Sequence, residues 1–116
     1  MSESSQRVWL FYIDDMIQFS EAVFTYIQSM DRAAFIENRM TYDAVLRNLE
    51  LIGEAATHIP EDIRSQYAHI PWRKIVATRN QLIHAYLGID DDIVWSIIQD
   101  DLPDLCADLK VMRDAF

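Results

Sequence analysis

One cysteine, two glycines and three prolines are spread over 116 residues, and each scarcity excludes a class of protein. A lone Cys106 cannot form an intramolecular disulfide or build a thiolate zinc site, so a disulfide-stapled scaffold and a zinc-ribbon fold are both excluded. Its neighbours Leu105 and Leu109 mark it as a small buried hydrophobe. So little glycine and proline, with 51% of residues apolar, fits neither a disordered chain nor a repetitive fibre. No run approaches the roughly 18 uninterrupted apolar residues of a membrane span. The opening MSESSQRVWLF lacks a basic region followed by an apolar core, so no signal peptide, and a cytoplasmic location, are expected. Strand patterning is absent as well. What remains is a single helical domain over residues 1–116, large enough for one core.

Basic residues are also scarce, 10 against 19 acidic, for a net charge of −9. That excludes a generic duplex-binding surface, which needs a basic face. The distribution is uneven. Residues 1–57 hold four basic and nine acidic groups, and residues 85–116 hold two and eight. Residues 58–84 hold Arg64, Arg73, Lys74 and Arg79 against Glu61 and Asp62, and contain all three histidines, His58, His69 and His84. An anion site on an otherwise acidic body is therefore possible there.

From Val8 to about Met30, Asp14, Gln18, Glu21, Thr25 and Gln28 form one narrow polar stripe on an otherwise apolar helix, which should pack on two sides. Asp31–Arg39 reads as a break with one helical turn. Thr41–Ile59 is a helix with Tyr42, Val45, Leu49, Ile52, Ala56 and Ile59 on its apolar face. Gly53 inside it costs about 1 kcal/mol relative to alanine and would be explained by a close helix crossing. Pro60 ends that helix or opens the short turn that follows, EDIRSQY. Pro71 opens a helix through Trp72, Ile75, Val76, Leu82 and Ile83, and Gly88 is its expected stop. Asp90–Asp92 read as a helix cap rather than a metal site. The last helix carries Val94, Ile98, Leu102, Leu105, Leu109, Met112 and Phe116, with a kink or restart near Asp101–Leu102 because Pro103 lies inside it. Trp9, Trp72 and Trp95 fit core or dimer contacts better than base-stacking platforms. The expected architecture is an all-α antiparallel bundle of four to five helices.

RNQLIHAY, Arg79 to Tyr86, is the one segment that the scaffold does not absorb. Arginine stays charged and grips phosphate oxygens with two donors. Histidine takes or gives a proton near neutral pH, as cleavage of RNA through its 2′-hydroxyl requires, without a metal or other cofactor. Five residues of helix separate Arg79 from His84 by about 140° and 7.5 Å, so one regular helix does not bring them to one phosphate. Either the helix loosens before His84 or two copies meet across a two-fold axis. The second needs no distortion, and two-fold dimers are the commonest oligomers. Asn80, Arg47, Glu54 and Arg73 are candidates for supporting roles and RNA contact, Arg47 and Glu54 sharing one polar face of their helix. Structural roles are also open: Arg47–Glu50–Glu54 as a solvated stripe, Glu54–His58 as a surface pair, His84 as a helix-end cation.

RNQLIHAY matches the R-x4-H-x-Y signature of HepT-type toxins of the HEPN superfamily. RNLELIGEAA (Arg47 to Ala56), IPWRKIVATRN (Ile70 to Asn80) and YLGIDDDIVWSIIQDDLP (Tyr86 to Pro103) resemble the family in the same order. The resemblance implies a homodimeric helical bundle with Arg79 and His84 catalytic and Asn80 as their polar neighbour. It implies the toxin of a type VII-like toxin–antitoxin pair, a metal-independent endoribonuclease acting on cellular RNA such as tRNA or mRNA. It further implies a minimal nucleotidyltransferase (MNT-type) antitoxin that attaches AMP to Tyr86, placing phosphate beside Arg79. A catalytically silent binding subunit of a nucleotidyltransferase complex is the alternative.

Overall fold

The computed structural model describes residues 3–84 and 88–116, with side chains from residue 8 onward. All its elements are helical, as expected: α1 Glu3–Tyr26, α2 Arg32–Glu37, α3 Arg39–Ala56, α4 Glu61–Gln66, α5 Trp72–His84, α6 Asp91–Ser96 and α7 Leu102–Asp114, with a π-helical turn, Ile97–Asp101, between the last two. No helix among the described residues is long and apolar enough to cross a membrane.

The wide apolar arc of α1 has the two partners it requires: α1 packs on α3 along one side and on α7 along the other. Ile13, Met16, Ile17 and Val23 are fully buried between them, each worth about 1.5–3 kcal/mol by removal from water. The buried Ser20 is satisfied locally, its hydroxyl donating to the Met16 carbonyl at 2.8 Å. The polar stripe stays at the edge of the contact, with Asp14 3.7 Å from Arg113 and Glu21 3.9 Å from Lys110. α3 is the central element, covered by α1 and, on its other side, by α5.

Several boundaries move from the sequence expectation. α1 ends at Tyr26 rather than near Met30, because the chain turns through Ser29, whose φ of 68° leaves the helical region. Asp31 caps α2, accepting from Ala34 N at 2.8 Å, and Asn38 caps α3, accepting from Thr41 N at 3.1 Å. These caps start α3 at Arg39. Its end tightens over residues 57–59, where His58 N and Ile59 N reach carbonyls three residues back. EDIRSQY, expected as a turn, is mostly the short helix α4.

Asp90 caps α6, accepting from Asp92 N at 2.7 Å. Its neighbours tie this end to the front of the bundle: Asp91 accepts from the Tyr42 hydroxyl at 2.5 Å, and Asp92 from Arg32 Nε at 2.7 Å. The break expected near Pro103 is the π turn, after which α7 restarts with Pro103 in its first turn, where a missing N–H costs nothing. α5 is described as far as His84, and the step from there to the expected stop at Gly88 runs through residues 85–87, outside the described residues. Trp9 and Trp72 are buried and Trp95 packs 5.5 Å from Phe35, so all three join the core.

Candidate active site

The site is built where α3 and α5 cross. A methyl group placed on Gly53 would lie 2.1 Å from Arg79 Cβ and 2.9 Å from Arg79 Cγ. Only a residue without a side chain lets the arginine stem pass α3 this closely. The crossing that would explain a mid-helix glycine is therefore present, and what crosses there is the candidate catalytic arginine.

The next residue of α3 takes hold of the arginine head. Glu54 Oε2 accepts from Arg79 Nη2 at 2.5 Å, and Asn80 Oδ1 accepts from Arg79 Nη1 at 2.8 Å. Arg79 Nε is buried with no hydrogen-bond partner among the described residues. Burying such a donor unpaired costs about 1–3 kcal/mol, so this arginine is not placed for stability alone. The other oxygen of Glu54 lies 3.7 Å from His58 Nε2, an ion pair when the imidazole is protonated. The His58 ring stacks on Tyr12 of α1 with centroids 4.5 Å apart and planes 10° from parallel. A line of contacts thus runs Tyr12, His58, Glu54, Arg79, Asn80 across three helices.

His84 lies elsewhere. α5 is α-helical from Trp72 to His84, so the loosening that would swing His84 toward Arg79 is not found. The two remain about 140° apart around the axis. Arg79 leans on α3 with a side chain 27% exposed, while His84 faces solvent. Ile83, expected on the packed face, is 44% exposed beside it.

The supporting candidates divide. Glu54 and Asn80 contact Arg79 directly. Arg73 and Asn80 share a cleft of about 660 Å³ between α4 and α5, with Arg64 on its opposite wall. Arg47 pairs instead with Glu50 at 2.8 Å, about 10 Å along α3 from Glu54, and no hydrogen bond or ion pair joins it to Arg79. Tyr86 lies outside the described residues. No group of three or more His, Cys, Asp or Glu side chains among the described residues is arranged to hold a metal ion. Sequence reasoning missed the part played by Gly53 and the Tyr12–His58 stack. The first was signalled by a glycine inside an amphipathic helix. The second joins residues 46 positions apart and had no local signature.

A sequence profile described as "Ribonuclease HepT-like" matches residues 13–112. A candidate RNase of Methanocaldococcus jannaschii, MJ1380, is 34% identical over 112 residues, covering 97% of this chain and 100% of its own. A second protein of that organism, the candidate RNase MJ0125, is 35% identical over 104 residues, 89% of this chain and 90% of its own. A candidate ribonuclease HepT of Thermococcus cleftensis is 33% identical over 102 residues, 88% of this chain and 93% of its own. No solved structure gave a significant match.

Proposed function

The chain belongs to the HepT-like ribonuclease family, and from that premise we propose that it is a metal-independent endoribonuclease whose active site needs two copies of α5. In this reading Arg79 holds the scissile phosphate and neutralises charge gathering on its oxygens. One His84 removes the proton from the ribose 2′-hydroxyl, which attacks phosphorus. The other protonates the departing 5′-oxygen, leaving a 2′,3′-cyclic phosphate. Asn80 orients the phosphate or a base, and Arg73 in the neighbouring cleft extends the contact to RNA.

The observation that carries the two-fold site is the regular helix through His84. It turns the two catalytic candidates away from each other in one chain, while a second α5 across a dyad offers the missing group. The half-exposed Ile83 beside His84 gives that contact an apolar component. The protein is the toxin of a type VII-like pair in this proposal. Its partner is an MNT-type nucleotidyltransferase that silences it by adding AMP to Tyr86, and its substrate is cellular RNA such as tRNA or mRNA. The engagement of Arg79 by Glu54 and Asn80 is what favours the second reading, a catalytically silent binding subunit.

The test is cleavage of RNA by the purified protein in EDTA. Arg79→Ala and His84→Ala are each expected to lower the rate at least about 10²-fold with helical content unchanged. Undiminished cleavage by a clean His84→Ala preparation would overturn the assignment. Intact mass after co-expression with the nucleotidyltransferase is expected to rise by AMP increments in the native chain and not in Tyr86→Phe.

A further inference from the structure

We infer that Glu54 is a positioning residue for Arg79, and that the Tyr12–His58 stack braces Glu54 from behind. This rests on the reading of Arg79 as the phosphate-binding group and adds what holds that group in place.

Three observations converge on Glu54. The stem of Arg79 is fixed by its passage over Gly53, which leaves only the outer dihedrals of the side chain free. The carboxylate at the very next position of α3 takes Nη2 at 2.5 Å, so backbone and head are both referenced to the same turn of the same helix. The carboxylate is itself located from the other side, with Oε1 3.7 Å from His58 Nε2 and that ring stacked on Tyr12. Arg79 is thereby referenced to α1 as well as α3, although it sits on α5.

A purely stabilising role explains this poorly. Glu54 is 47% exposed, and ion pairs that open to water contribute little to folding. What such a pair does supply is direction. A guanidinium is a planar fork whose value to a phosphate depends on orientation, and a displacement of about 1 Å at a reacting group lowers rates about 10²-fold. Glu54 needs no contact with RNA for this. It acts through the arginine, so its removal should slow the chemical step rather than weaken substrate capture.

The experiment compares kcat and KM for RNA cleavage by the full chain as wild type, Glu54→Gln, Glu54→Asp and His58→Phe, with Arg79→Ala and His84→Ala measured alongside. Glu54→Gln keeps shape and an acceptor oxygen but loses the charge. Its kcat is expected to fall about 10- to 100-fold, with KM changed less than about threefold and thermal unfolding unchanged. Glu54→Asp, which keeps the charge one methylene further back, should recover part of the loss. His58→Phe keeps the stack on Tyr12 without the nitrogen and should lose a few-fold in kcat.

A Glu54→Gln enzyme within twofold of wild type overturns the inference. So does a loss confined to KM, which would make Glu54 an RNA contact, and so does a gain in activity, which would make it a competitor for the arginine. Unchanged cleavage by Arg79→Ala would instead remove the catalytic reading beneath it. A readout free of activity is the Arg79 Nε–H signal in NMR. It is expected to exchange slowly in wild type, where Nε is buried, and at least about tenfold faster in Glu54→Gln. Equal exchange in the two proteins contradicts the positioning role.

Discussion

A methyl group at Gly53 would overlap Arg79 Cβ at 2.1 Å, and both atoms belong to helix stems that cannot swing aside. Gly53→Ala is therefore expected to push α5 off α3. Overpacking of this kind destabilises by about 1–3 kcal/mol, to be read from denaturant unfolding, and RNA cleavage should fall with it. An unchanged midpoint would mean that the helices slide freely at the crossing. The sequence marked Gly53 as costly in a helix and RNQLIHAY as chemically unusual. It did not join them, because helical periodicity shows which residues share a face and not which residue of another helix lies across it. Glu54 illustrates the same limit. Its i, i+4 relation to His58 was visible and it stood with Arg47 among the candidates for the groove around the arginine, but that Glu54 and not Arg47 would contact Arg79, 25 positions away at 2.5 Å, was not. Cys106 was legible as core from its leucine neighbours, and it is buried. Burial, ahead of all nearby charges, raises its thiol pKa above the ordinary value of 9.0. A raised pKa favours the folded state while the thiol is protonated. That contribution is complete below pH 9.0 and is lost as pH climbs through the folded-state value. Cys106→Ala should therefore show a shallower alkaline fall in stability than wild type, measured by unfolding from pH 8 to 10.

At the scale of elements, the helices were legible where periodicity was long and their ends were not. Asn38 and Asp31 set boundaries through single side-chain hydrogen bonds, which a pattern of apolar residues does not register. Pro103 was the better signal. In a regular helix its ring would clash with the carbonyl of Gln99, at a cost of about 3 kcal/mol. The π turn widens the backbone before that point, with Leu102 N reaching back to Ile97 O. Pro103→Ala is thus expected to change stability by less than about 1 kcal/mol, because the clash it would relieve is already absent. A gain near 3 kcal/mol would show that the π turn is strained by the proline. The acidic run at α6 was legible as a cap at Asp90. Its second function, tethering through Asp91 to Tyr42 and through Asp92 to Arg32, was not. Tyr42 has a buried ring and donates to a carboxylate, so Tyr42→Phe should cost about 1.5–3 kcal/mol.

For the molecule as a whole, a net charge of −9 and a site with few basic neighbours imply that RNA is held by a handful of phosphate contacts. The rise of KM with salt should be correspondingly shallow. The proposed two-fold site makes sense of a helix that presents Arg79 to α3 and His84 to solvent. Substituting the half-exposed Ile83 by glutamate is expected to give a 13.6 kDa monomer in sedimentation, folded but inactive. The most direct test pairs wild-type chains with His84→Ala chains. A heterodimer of one each keeps both arginines and a single histidine, so a shared site lacks either its base or its acid. After subunit exchange, verified by mass on tagged chains, the isolated heterodimer is predicted to cleave RNA in EDTA at least about 10²-fold more slowly than wild type. A heterodimer that retains about half of the wild-type rate, as independent sites in each chain require, would contradict the shared site.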